Sequence, residues 1–126
     1  MPRLSFGCTI NHLQQNIAEV IVDSGIELTI EMVEELDTYL DTYYPGSFAL
    51  LVNKKNPYSY TYEAQLCLAS LEKQKAIAVL YHDLRQEQIP PQFDKRRKMD
   101  NIKIKSFPAT QLGTKKALDW LTSSLI

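Results

Sequence analysis

Two stretches near the amino end, 5–10 and 17–22, are rich in β-branched and apolar residues and are separated by the polar run 11–16. That pattern predicts two successive strands joined by a turn. Asp23-Ser24-Gly25 is a turn signal. Thr29 then stands where a hydroxyl caps a helix, Glu31 falls in the first turn, and Val33, Leu36, Leu40 and Tyr43 recur at three- and four-residue spacing. Those four predict a buried stripe. Glu31, Glu34, Glu35, Asp37 and Asp41 fall largely on the other side, and Pro45-Gly46 ends the helix.

Residues 48–52 and 76–81 are short runs with almost no polar residue, as in strands of a parallel sheet covered on both faces. Between them Tyr62, Leu66 and Ala69, with Leu68 and Leu71, predict a crossover helix over about 62–73 and so a βαβ unit. Pro90-Pro91 interrupts any helix in 85–100, because proline lacks an amide donor and clashes with the preceding turn; a long loop with at most one or two helical turns is expected. Ile102 and Ile104 alternate with Lys103 and Lys105 as in an edge strand, where lysines discourage pairing with another sheet. Thr114 stands as the cap of a last helix whose apolar face holds Ala117, Leu118, Trp120, Leu121 and Leu125. The order is β-β-α-β-α-β-(loop or α)-β-α. Right-handed crossovers fold it into one α/β domain over 1–126, a mixed sheet with helices packed against it.

Composition changes this picture in one respect. The chain has 126 residues and a net charge of −1, yet 1–50 carry one basic and eight acidic residues, and 51–126 thirteen basic and seven acidic. The neutral total hides −7 and +6, so a dipolar surface is expected, which favours oriented association with a protein over binding to nucleic acid. No apolar run approaches the roughly 20 residues that span a bilayer, and the first ten residues lack a signal peptide's pattern. A cytoplasmic protein without a membrane span is expected. Cys8 and Cys67 form no CxxC or Cys/His metal spacing, and no metal or cofactor is expected.

The chain resembles the SpoIIAA-like group, the STAS domains and their relatives related to the CRAL-TRIO lipid-binding fold, and within it small single-domain bacterial members of no assigned activity. The resemblance is carried by 17–22 (IAEVIV), 28–32 (LTIEM), 48–53 (FALLVN), Asn56-Pro57-Tyr58-Ser59-Tyr60, 76–79 (AIAV) and the closing Ala117-Leu118-Asp119-Trp120-Leu121. It covers nearly the whole chain. It implies a mostly parallel five-stranded sheet with three to four helices. In STAS-type anti-sigma-factor antagonists, a kinase partner phosphorylates the serine of an Asp-Ser pair in the loop between the third strand and the second helix. The nearest positions here are Tyr58, Ser59, Tyr60 and Thr61; the Asp has no counterpart. The plain reading of Ser59 or Thr61 is a helix cap. The lipid-binding relatives imply, as the alternative, a small-molecule or lipid site.

Among chemistry-bearing residues, Cys8 and His12 lie four apart, but on a strand and in the turn beyond it, where such positions do not converge. Asn53 and His82 end two buried strands on the side where open α/β sheets bind ligands, close to the tract from Tyr58 to Thr61. Together they predict a small cleft without a nucleophile and base, so no enzyme is expected. Of seven tyrosines, five fall within twenty residues: Tyr43 and Tyr62 fit core stripes, while Tyr44, Tyr58 and Tyr60 are expected exposed in loops, where amphipathic rings suit contact with another protein. The densest cationic run is Lys95, Arg96, Arg97 and Lys98. It is expected to be a solvated loop or to meet an acidic patch, including the acidic helix of a second copy, rather than nucleic acid, since it lacks groups that stack on or read bases. A non-enzymatic domain that binds another protein or a second copy of itself is the expectation.

Overall fold

Two strands, β5 (Phe48–Asn53) and β7 (Gln74–Tyr81), organise the molecule, because Phe48 to Val52 and Ala76 to Leu80 are buried on both faces. The computed structural model describes residues 3–4, 7–14, 16–56, 58–68, 73–82 and 103–125. In chain order β5 follows β1 (Arg3–Leu4), β2 (Cys8–Gln14), β3 (Ile17–Val22), β4 (Glu27–Leu28) and helix α1 (Ile30–Tyr43). Then come β6 (Ser59–Tyr60), α2 (Tyr62–Leu68), β7, β8 (Lys103–Pro108) and α3 (Gln111–Ser124). The main sheet runs β1-β2-β3-β5-β7-β8. Its β1–β2 and β2–β3 pairs are antiparallel, and β3–β5, β5–β7 and β7–β8 are parallel. The expected mixed five-stranded sheet is present, extended by the two-residue β1, but with two of its five pairings antiparallel it is less parallel than expected.

Side chains alternate across this sheet, so each strand feeds two cores. Cys8, Ile10, Ala18, Val20, Val22, Leu50, Val52, Ile77, Val79 and Ile104 face α1 and α2, whose Val33, Leu36, Leu40 and Ala64 fill the layer above. Ile17, Ala49, Leu51, Ala78, Leu80 and Phe107 face α3, meeting Ala117 and Leu121. We refer to these as the α1 face and the α3 face.

The structure differs from expectation in three places. First, β2 continues through 11–14, which the polar run had suggested was a turn. Alternation explains it: Ile10 and His12 point to the α1 face while Thr9 and Asn11 point away, and Asn16, at φ 67°, supplies the left-handed turn residue that asparagine tolerates. Second, α3 is capped by Thr110, not Thr114; its hydroxyl accepts from Gly113 N at 2.9 Å. The glycine that hid this first turn is a packing requirement, since a Cβ there would overlap the carbonyl oxygen of Pro108. Third, the tract before α2 is no free loop. Ser59–Tyr60 pairs in parallel with Glu27–Leu28, and Ser59 N and Thr61 N donate to Ile26 O and Leu28 O at 3.0 and 2.9 Å. Of the expected helix over 62–73, residues 69–72 lie outside the described residues, as do the expected loop at 85–100 and Ile102 of the expected edge strand.

Substituting Gly113→Ala should lower stability by about 1–3 kcal/mol through overpacking, and Thr110→Ala by about 1 kcal/mol through loss of the cap. Urea denaturation checks both. A Gly113→Ala protein as stable as wild type would show that helix and strand end are not in contact at this point.

Candidate functional site

At the carboxyl ends of the central strands, polar side chains begin where the apolar runs stop. His82 Nε2 lies 2.7 Å from Asn53 Oδ1, Asn53 Nδ2 donates to Glu19 Oε2 at 3.0 Å, and Asn11 Nδ2 donates to Glu19 Oε1 at 2.9 Å. Asn53 uses its amide hydrogens on Glu19, so its oxygen accepts from His82 Nε2–H, which fixes the tautomer. The chain of donors ends on the carboxylate. The expected neighbours Asn53 and His82 therefore meet. By strand alternation, however, Asn53 and Glu19 lie on the α3 face, with Ile17 and Leu51.

Tyr58 and Tyr60 lie on the opposite side of the sheet. Rather than standing exposed in a loop, both are part-buried and packed against the α1-face core. The β4–β6 pairing turns them inward. Their hydroxyls are 2.9 Å apart, and Lys54 Nζ sits 5.3 and 5.5 Å from the two ring centroids. Burial raises both phenols, Tyr60 to about 12, and lowers the Lys54 ammonium below its ordinary value. Beneath them a pocket lined by Cys8, Val22, Met32, Val52, Tyr58 and Tyr60 has a volume of about 10 Å³. That is room for about one water molecule, too little for an acyl chain. The single cleft expected from Asn53, His82 and the tyrosine tract is thus two sites, separated by the sheet. Ser59 is exposed on β6, and the Thr61 hydroxyl accepts from Ala64 N at 3.1 Å as the cap of α2.

A third group was missed by sequence reasoning. His12 lies on β2, not in a turn, and both its ring nitrogens meet phenols from α1 and the residue following it: Nδ1 to Tyr44 OH at 2.7 Å and Nε2 to Tyr39 OH at 2.8 Å. Tyr43 stacks on the imidazole, with centroids 3.7 Å apart and planes at 12°. Tyr44 packs onward against Phe48 and is 4% exposed, whereas Tyr43 is 53% exposed. Tyr62, also assigned to a core stripe, is 54% exposed at the first position of α2. The expected burial is reversed for Tyr43, Tyr44 and Tyr62. The signal that could have found this group is the alternation of Cys8, Ile10 and His12 toward α1, read with tyrosines at 39 and 43 one helical turn apart.

Lys73 holds the end of α1 in place. Its ammonium donates to Tyr44 O at 3.0 Å and pairs with Asp41 Oδ1 at 2.7 Å, satisfying a carbonyl at a helix terminus. Cys67 is half-buried, and burial, followed by Asp37 and Glu34, raises its thiol, which disfavours the reactive thiolate. Lys95, Arg96, Arg97 and Lys98 lie outside the described residues. Among the described residues no group of three His, Cys, Asp or Glu could hold a metal ion, and no helix is long and apolar enough to cross a membrane.

In fold the chain is similar to the crystal structure of an uncharacterized protein from the DUF3478 family with a SpoIIAA-like fold from Shewanella loihica PV-4. The TM-score is 0.56 at 19% sequence identity, covering 96% of this chain and 98% of that one. The chain has a SpoIIAA-like fold. No protein-family model matches the sequence, and no curated protein matches it.

Burial lowers the pKa of His12 from its usual 6.5. The fold therefore favours neutral imidazole, and this contribution to stability is complete above pH 6.5 and lost as pH falls through the lowered value. Tyr39 and Tyr44, raised by burial and Tyr44 to about 12, stay protonated throughout. Denaturant midpoints measured from about pH 8 down to about pH 5 should fall on acidification, and His12→Gln should flatten that fall. Identical profiles for the two proteins would exclude His12 as its source.

Proposed function

We propose that this SpoIIAA-like domain acts by binding another protein and carries out no reaction of its own. The observation that supports this reading is the surface at the end of α1: Tyr43 is half-exposed yet held parallel to an imidazole that Tyr39 and Tyr44 fix on both sides. An aromatic side chain on a protein surface offers a large contact area. Here it is already ordered, so little rotamer entropy is lost when a partner covers it. Glu31 and Glu34 are exposed nearer the amino end of the same helix and add negative charge that would steer a basic partner surface toward it.

In the tract before α2, Tyr58 and Tyr60 support the reading from within. They anchor the backbone that presents the exposed Ser59. Affinity capture with wild type and Tyr43→Ala, each shown to be folded by circular dichroism, tests the proposal. Proteins retained by wild type should be lost or reduced about tenfold with Tyr43→Ala, as for a central aromatic contact worth roughly 1.4 kcal/mol or more. The same partners at the same levels on both would remove Tyr43 from the contact.

A further inference from the structure

The α3 face is covered unevenly. Helix α3 packs on β5, β7 and β8, and its last turn reaches the β2–β3 turn, where Ile17 joins its core and Thr122 Oγ1 donates to Gln14 Oε1 at 3.1 Å. Farther along the same two strands Thr9, Asn11, Glu19 and Ile21 are all part-exposed. In the middle of this patch sits the Glu19 carboxylate. It is part-buried, and among the described residues it has no cationic partner.

A part-buried charge is normally paired, because desolvation costs more than amide hydrogen bonds alone return. Glu19 is instead oriented by neutral donors. Asn11, directly opposite it on β2, donates to one oxygen, and Asn53, at the end of β5, donates to the other. A carboxylate has about four lone-pair sites, so each oxygen keeps one in reserve. Two oxygens, each with one free acceptor site and held in a fixed plane by three strands, match the planar two-pronged donor of a guanidinium better than the point charge of an ammonium.

We infer that Glu19, clamped between Asn11 and Asn53, is a docking point for an arginine side chain of another protein. The charge complementarity of an unneutralised carboxylate selects a cation, and its two-oxygen geometry selects arginine over lysine. Ile21 and Thr9 beside it offer apolar surface to the arginine stem. The site lies on the opposite face of the sheet from Tyr43 and does not depend on that contact.

The test is a titration of the ¹⁵N-labelled protein with the blocked tripeptide acetyl-Gly-Arg-Gly-amide, followed by amide and Asn side-chain shifts. Saturable shifts should centre on Asn11, Glu19, Ile21 and the Asn53 side chain. Citrulline in place of arginine, which keeps the shape and loses the charge, should bind about ten- to a hundredfold more weakly, the range for charge-assisted hydrogen bonds. Glu19→Gln should weaken binding comparably, and Tyr43→Ala should leave it unchanged. The citrulline arm uses the wild-type protein and stays decisive even if Glu19→Gln does not fold. Equal binding of the citrulline peptide, equal binding of a lysine peptide, or shifts located elsewhere would each overturn the assignment. Free arginine binding as tightly as the peptide would make this a small-molecule site, and shifts at these residues on simple concentration would place a second copy there; both outcomes also overturn it.

Discussion

The rest of the structure depends on the absence of a polar face in β5 and β7. Strands buried on both sides require a layer above and a layer below, and the chain provides α1 with α2 on one face and α3 on the other. An ionised group in the middle of either strand would lie between two apolar layers, at a cost of several kcal/mol. Polar chemistry is therefore displaced to two kinds of position. One is the strand end, where Asn53 and His82 are the first polar groups after each apolar run. The other is the flank of the sheet, where β2 and β3 need bury one face fully and can carry Asn11 and Glu19 on the other.

That constraint also decides what was legible in the sequence. The apolar runs at 48–52 and 76–81 announced the two central strands, because continuous burial leaves a continuous pattern. The cap of α1 was legible too: Thr29 accepts from Met32 N at 3.4 Å, next to an apolar stripe with regular spacing. The meeting of Asn53 and His82 followed from their places at the carboxyl ends of neighbouring parallel strands. The reach of β2 did not. Its outer residues are polar because they face away from a helix, and a polar run on a half-covered strand looks like a turn. Nor did Thr110 read as a cap, since the glycine that permits contact with Pro108 is also a poor helix former.

The tyrosines show where periodicity stops being informative. Val33, Leu36 and Leu40 set the buried direction of α1, and Tyr43 lies at the margin of that stripe, where a small rotation decides between core and solvent. Tyr44 follows the last helical residue with extended backbone, φ −106° and ψ 114°, and this change of direction sends its ring inward onto Phe48. Tyr58 and Tyr60 are turned inward by a pairing between segments about thirty residues apart in sequence, which no local pattern encodes. In each case the backbone geometry beyond one element determines burial.

One strand connects the two candidate surfaces. His12 on β2 points to the α1 face and carries the stacked tyrosine, while its neighbour Asn11 points to the α3 face and orients Glu19. A slip of one residue in the β2–β3 register would exchange them, placing the imidazole beside the carboxylate and the amide beneath the phenols. Three features hold the register: the burial of Cys8 and Ile10, the irregularity between His12 and Gln14, and the left-handed turn at Asn16, whose carbonyl accepts from Ala49 N at 2.9 Å. The last of these ties the turn to the amino end of β5. The pairing that keeps the central strand in place thus also fixes which side of the sheet each surface occupies, so the positions of both surfaces follow from the same buried core.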